Sequence, residues 1–317
     1  MMRTIAGLLY GRDDGHLDHL APTCSILNIP LFITSGTLYS FALKQYPDLT
    51  CILAAPNQVA TLITKDYDTL ISTLPRQLID PIFLFDQIAY NKRLSTFWLP
   101  HGASDKDNMK ALLGEDFLLV YGSKMRSMLP EQAQEKAILT GNTRLQYFMK
   151  HKNFYDNLIP PQWKKTDERL NILYAPSWES DPACWINLMI AQRPADTNLF
   201  IKLHPNSYKN GRLTALAIKY EGCEGVYFIQ DFFPIYPLLA QMDALYTDTS
   251  SVGYDFLYFD KPLFFTNDFI TPLHSCGTMA SKESIFITPQ TNLFRENRAK
   301  LYAQVYEKQC KPDLHRW

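Results

Sequence analysis

The stretch DALYTDTSSVGYDFLYFDKPLFF, Asp243 to Phe265, decides how the rest of the chain is read. An apolar strand pattern, MDALYT, runs into four small polar residues, Asp248-Thr249-Ser250-Ser251. SVGYDFLYFD follows, with Val252, Phe256 and Phe259 at helical spacing on one face, and after Lys261-Pro262 a second apolar run begins. Strand, polar junction, helix, strand is the repeating unit of a parallel sheet. A helix N-cap needs one Asp, Ser or Thr, and here four polar residues stand in a row. The N–H groups of a helix start together with up to three hydroxyls suit an anion of phosphate size. From the residues alone, an ordinary cap stays open as the alternative.

Working outward, short apolar runs recur between helical stretches. In the first half they fall near TIAGLLY, IPLFIT, TCILAAP, YDTLIST, RLSTFWLPHG and DFLLVYG, after which GNTRLQYFM reads as a turn and the start of a helix. In the second half they fall near RLNILYAPSW, NLFIKLHP, VYFIQD, MDALYTD and PLFFTN. The alternation predicts two doubly wound, Rossmann-like α/β domains. FYDNLIPPQWKKTDER combines two prolines, charge and no clear periodicity, so it reads as the linker, with domains at 1–155 and 156–317. Two such domains facing each other across a cleft would bind ligands at the carboxyl ends of their strands.

A formal net charge of −1 leaves nothing global to draw the chain to nucleic acid or to an acidic membrane surface, so an anion site has to be local. The six cysteines are scattered without a Cys-x-x-Cys pair, which argues for reduced thiols and a cytoplasmic protein. The apolar run at the N-terminus is too short for a signal peptide, and no window approaches the ~20 apolar residues of a membrane span. Any membrane contact is expected to be peripheral.

Three further strand ends carry chemistry. TFWLP ends in His101-Gly102, where glycine permits an unusual backbone angle or a close ligand approach. The following Ser104, Asp105 and Lys106 suit a helix start or a loop. NLFIKLHP ends in His204-Pro205, and proline stops the strand there. NILYAPSWESDP passes from its strand into Ser177, Trp178, Glu179 and Asp181. Near the N-terminus, GRDDGHLDHLAP sets Asp14, His16, Asp18 and His19 close together. A polar glycine-rich loop, with His16 or His19 touching a second substrate, is favoured there over a metal pair.

The ordered set LPHGASDKDN, ILYAPSWESDP, IKLHP and YTDTSSVGYDFLYFDKPLFF resembles the CDP-glycerol glycerophosphotransferase family, which builds teichoic-acid-type polyol phosphate chains. The resemblance covers roughly His101 to Phe265. It implies a GT-B fold with an acceptor-side first domain and a nucleotide-donor-binding second domain. It implies transfer of glycerol phosphate, or another polyol phosphate, from a CDP-activated donor such as CDP-glycerol to a hydroxyl of a glycan or lipid-linked acceptor. His101 would be the base toward the acceptor hydroxyl, and His204 would contact the donor phosphates. Thr249, Ser250 and Ser251 match the family's phosphate-binding hydroxyls. Ser177 belongs to the same donor site, and Asp248 and Asp255 would orient the loop. His16, His19 and Gly102 are the acceptor-side candidates. No cofactor and no metal is demanded, since the helix start and the histidines can stabilise developing charge. A cytoplasmic protein is expected, with placement at the inner face of a membrane as an option that a lipid-linked acceptor would require. The chain departs from the family pattern with Leu99-Pro100 before His101 and Trp178-Glu179 after Ser177. For the family's C-terminal arginine the candidates are Arg295, Arg298 and Arg316. A GT-B sugar transferase, a sugar-nucleotide epimerase and a non-catalytic nucleotide- or glycan-binding relative are the competing functions.

Overall fold

The computed structural model describes residues 4–103, 109–178, 181–204, 206–207, 211–267, 269–286 and 293–306. Ser104, Asp105, Lys106, Glu179, Pro205 and Arg316, singled out above, lie outside the described residues. The chain divides into two compact units, Met1–His151 with Ala303–Trp317, and Lys152–Tyr302.

The first unit runs β1 (Ile5–Leu9), α1 (Asp14–Leu27), β2 (Leu31–Ile33), α2 (Gly36–Gln45), β3 (Cys51–Leu53), α3 (Val59–Asp66) and β4 (Thr69–Ser72). It continues through α4 (Asp80–Tyr90), β5 (Ser95–Trp98), β6 (Phe117–Val120), α5 (Ser123–Met128), α6 (Glu131–Gln134), β7 (Ala137–Leu139) and α7 (Thr143–Lys150). Its strands form one parallel sheet in the order β3-β2-β1-β4-β5-β6-β7. Every residue of β1 is buried, as a central strand covered on both faces requires. Gly7 in that strand has a positional reason: a Cβ there would lie 2.4 Å from Cys24 Sγ of α1. The missing side chain leaves room for Cys24 of α1 against β1.

The second unit runs α8 (Lys152–Leu158), β8 (Leu170–Tyr174), α9 (Ala183–Gln192), β9 (Thr197–Ile201), α10 (Gly211–Lys219), β10 (Val226–Phe228) and α11 (Ile235–Ala240). It continues with β11 (Ala244–Thr247), α12 (Val252–Phe256), β12 (Leu263–Phe265), β13 (Thr278–Met279) and α13 (Arg295–Val305), which runs on into the residues of the first unit. Its sheet is also parallel, in the order β10-β9-β8-β11-β12-β13. Ile186, Leu199, Ile201 and Tyr246 are among the side chains that fill its core.

The eleven runs read as strands are strands, but β7 and the two-residue β13 were not among them. The stretch read as a linker is half helix: α8 occupies its start, with Tyr155 and Ile159 buried, and a short 3-10 turn follows at Pro161–Trp163.

In each sheet the chain builds outward on one side of its first strand and then returns to the other. The reversal lies between β1 and β4 in the first unit and between β8 and β11 in the second. Just outside the carboxyl ends of the two strands that flank such a reversal there is room for a ligand.

Candidate active site

In the first unit, the reversal point carries the histidines. Asp13 caps α1 by accepting a bond from the Gly15 N–H at 3.0 Å, so His16 sits in the first turn and His19 one turn on, on the same side. His16 Nδ1 is 2.9 Å from the hydroxyl of Thr73, the residue after β4, which ties the two flanking strands together. His16 Nε2 lies 3.9 Å from the Asp13 carboxylate. The exposed His101, three residues past β5, stacks its ring on His16 with centroids 4.5 Å apart and planes at 27°. Gly102 takes φ 144°, a region side-chain-bearing residues rarely enter, so the turn behind His101 uses the freedom only glycine has.

His19 is buried. Its Nδ1 is 2.5 Å from the Tyr121 hydroxyl, which itself donates to the Pro100 carbonyl at 2.8 Å. Asp18 faces elsewhere, accepting from the Tyr46 hydroxyl at 2.9 Å and lying 3.4 Å from the Arg144 guanidinium. Among the described residues no group of three or more His, Cys, Asp or Glu side chains is placed to hold a metal ion.

Burial holds the His19 imidazolium well below its ordinary range near 6.5, and the positive charge of Arg144, then His101 and His16, add to the effect. The sign follows from linkage: a histidine neutral in the folded state but protonated when unfolded costs stability as pH falls below the unfolded value. The melting temperature should therefore fall with acidification below about pH 6.5, and less steeply in His19→Asn. Equal slopes in thermal melts from pH 7.5 to 5 would remove His19 from that account.

In the second unit, the β8–β11 ladder continues past the strands. The Ala175 N–H donates to the Tyr246 carbonyl at 2.9 Å, and the Thr247 hydroxyl donates to the Ala175 carbonyl at 2.7 Å. The Asp248 carboxylate, 2 % exposed, then takes over. One oxygen accepts from the N–H groups of Ser177 at 2.8 Å and Ser250 at 3.0 Å, and the other accepts from the Ser177 hydroxyl at 2.8 Å. Asp248 is a latch across the reversal point. Its charge is spent on holding Ser177 and the polar junction in register.

Thr249, Ser250 and Ser251 stand half-buried beyond that latch. Ser251 precedes α12 without capping it through its side chain, and among the described residues none of the three hydroxyls makes a hydrogen bond. Asp255 is wholly buried and accepts from the Tyr236 hydroxyl at 2.9 Å, which joins α12 to α11. The buried face of this segment differs from the one the helical spacing predicts. α12 is five residues long and tightens into a 3-10 turn at Leu257–Phe259, so Tyr254, Phe256 and Leu257 are buried while Val252 and Phe259 are half-exposed. At Gly253 a Cβ would meet the buried Leu273 side chain at 2.5 Å, so the two pack closely.

His204, three residues past β9, accepts the Asn206 N–H on Nδ1 at 3.1 Å. In the neutral ring the hydrogen is then on Nε2, which makes that atom a donor.

Three other residues that the sequence singled out have structural work. Lys261, of the Lys-Pro pair, donates to the carbonyls of Ala240, at 3.3 Å, and Met242, closing the end of α11. Burial lowers its ammonium from the usual range, Lys165 adds to this, and Asp243 partly offsets it. Arg295 and Arg298 both grip Asp260, at 2.6 and 2.8 Å, where the chain turns through φ 49°. Thr73 and Tyr121 were not singled out in the sequence. Each directly follows a strand end, which was the available signal, but a lone threonine and a buried tyrosine look like ordinary core.

No helix among the described residues is long and apolar enough to cross a membrane. No curated protein sequence matches the chain. Solved structures of low identity share its GT-B fold. The wall teichoic acid polymerase TagF, in a variant form, is 12% identical over 98% of this chain and 85% of that one, with a TM-score of 0.67. A TagF variant soaked with CDPG is 14% identical over 97% and 85%, with a TM-score of 0.66. MnaA of S. aureus, solved with UDP, is 13% identical over 98% and 94%, with a TM-score of 0.58. The model of one family, CDP-glycerol:poly(glycerophosphate) glycerophosphotransferase, matches residues 101–271, more than half of the chain and the span that holds His101, Ser177, His204 and the Asp248–Asp255 segment. The chain therefore belongs to the CDP-glycerol:poly(glycerophosphate) glycerophosphotransferase family of transferases.

Proposed function

We propose that this protein transfers glycerol phosphate, or another polyol phosphate, from a CDP-activated donor to a hydroxyl of a glycan or lipid-linked acceptor. The observation that carries the reading is the hydroxyl run Thr249-Ser250-Ser251 at the second unit's reversal point, with Asp248 engaged in holding it and no hydroxyl bonded among the described residues. Three hydroxyl donors are matched to phosphate oxygens. His204, three residues past β9, is the further contact that the family resemblance assigns to the donor phosphates. The CDPG soaked into the TagF variant supports CDP-glycerol as the first donor to test.

In this reading His101 takes the proton of the acceptor hydroxyl as its oxygen attacks the glycerol-bearing phosphorus. A new O–P bond forms, the bond from that phosphorus to the bridging oxygen breaks, and CMP leaves with the bond's electron pair. The charge that gathers on the phosphate oxygens is met by the hydroxyls and His204. Gly102 lets the chain turn away behind His101, and Ser177 and Asp255 keep the donor loop in place.

Calorimetry with CDP-glycerol tests this directly. Each hydrogen bond to a charged group contributes about 1.5–3 kcal/mol, so Ser250→Ala with Ser251→Ala should weaken binding by at least tenfold. Unchanged affinity and unchanged turnover together return the loop to an ordinary helix cap. Release of UDP from UDP-sugars, with none of CMP from CDP-glycerol, would select the sugar-transferase reading. Tight nucleotide binding without release would select the non-catalytic one.

A further inference from the structure

We infer that Tyr121, bonded between His19 and Pro100, is a positioning residue for His101, and that His19 and His16 act with it to hold that ring rather than to touch the acceptor. This rests on the reading of His101 as the base.

His101 is exposed and followed by a glycine at φ 144°, and on its N-terminal side the backbone carries a tether. Pro100 fixes its own φ through its ring. The remaining freedom is rotation of the Pro100–His101 peptide plane, and the Tyr121 hydroxyl bonds to the carbonyl oxygen of that very peptide at 2.8 Å. A carbonyl can only accept, so the single hydroxyl hydrogen of Tyr121 is committed there. The 2.5 Å contact to His19 therefore runs the other way, with Nδ1–H donating to the tyrosine oxygen. The direction of the whole chain, His19 to Tyr121 to Pro100, is set by chemistry.

The depressed proton affinity of buried His19 keeps its ring in one neutral form across the neutral pH range, so the chain holds that order. At the other end of the same helical face, His16 holds the His101 ring by stacking while Thr73 holds His16. Backbone and ring of His101 are thus gripped from one helix, α1, whose Cys24 packs into the room left at Gly7. A buried hydrogen-bonded pair serving stability alone would not need to end on the peptide bond of the exposed histidine.

Tyr121→Phe isolates the tether, because the buried ring and its packing on Tyr306 are kept and the hydroxyl alone is lost. A misplacement of about 1 Å costs on the order of 100-fold in rate. Tyr121→Phe should therefore lower kcat for CMP release from CDP-glycerol by roughly 10–100-fold, with the donor KM unchanged. In a His101→Ala background it should have no further effect. His19→Asn, which retains a donor for Tyr121, should keep more of the rate than His19→Phe. Additive losses in the double variant, or equal losses in the two His19 variants, would overturn the inference. If the wild-type chain releases no CMP, the functional reading fails, and the positioning claim is decided by NMR on 13C-labelled histidine. The His101 Cε1–Hε1 signal, assigned with His101→Ala, should shift and broaden in Tyr121→Phe; an unchanged signal refutes the tether.

Discussion

His101→Ala is expected to lower turnover by roughly 10²–10⁴-fold while the calorimetric affinity for CDP-glycerol stays within about twofold, because a general base acts in the transition state and not on the bound donor. His204→Ala should behave differently. Its ring, with Nδ1 accepting the Asn206 N–H, is the one that the resemblance assigns to the donor phosphates, and removing it should weaken donor binding as well as rate. The two variants form a contrast that one assay of CMP release and one binding titration resolve. If His101→Ala loses donor affinity and His204→Ala keeps it, the roles are reversed. If neither changes transfer while both melt like the wild type, the chain does not work by this chemistry.

Asp248→Ala should be the most damaging change in the second unit. The carboxylate is buried and accepts three bonds, two from backbone N–H groups and one from the Ser177 hydroxyl. Bonds to a charged group are worth about 1.5–3 kcal/mol each, and part of that loss is recovered where water reaches the opened site, so a net destabilisation of roughly 2–4 kcal/mol is expected. Donor affinity should fall with it, since Ser250 loses its anchor. Asp248→Asn keeps an oxygen where both N–H groups donate, so it should recover most of the stability. Denaturant melts of the three proteins decide the matter: an alanine variant as stable as the asparagine one would show that the latch contributes nothing.

The pattern along the chain made the parallel α/β units legible, because apolar spacing within four to ten residues reports which face of a strand or helix is buried, and that is local information. The same reading found the polar junction at Asp248–Ser251 and the histidines at the ends of β5 and β9. It did not reach the partners. Ser177 meets Asp248 across 71 positions, Thr73 meets His16 across 57, and Tyr121 meets His19 across 102. Nor did it separate the roles of like residues: Arg295 and Arg298, candidates through the resemblance for the family's C-terminal arginine, grip Asp260, and Lys261 closes the end of α11. The face of the segment after Ser251 was shifted for a related reason, since a five-residue helix tightening into a 3-10 turn follows its packing against Leu273 more than its own period. By itself the sequence determined the alternation of eleven of the strands with helices and the residue types that stand at the strand ends. The tertiary structure decided which ends become neighbours, because the order of strands in a sheet, and the place where that order reverses, follow from packing between elements far apart in the chain and leave no mark in the spacing within any one of them.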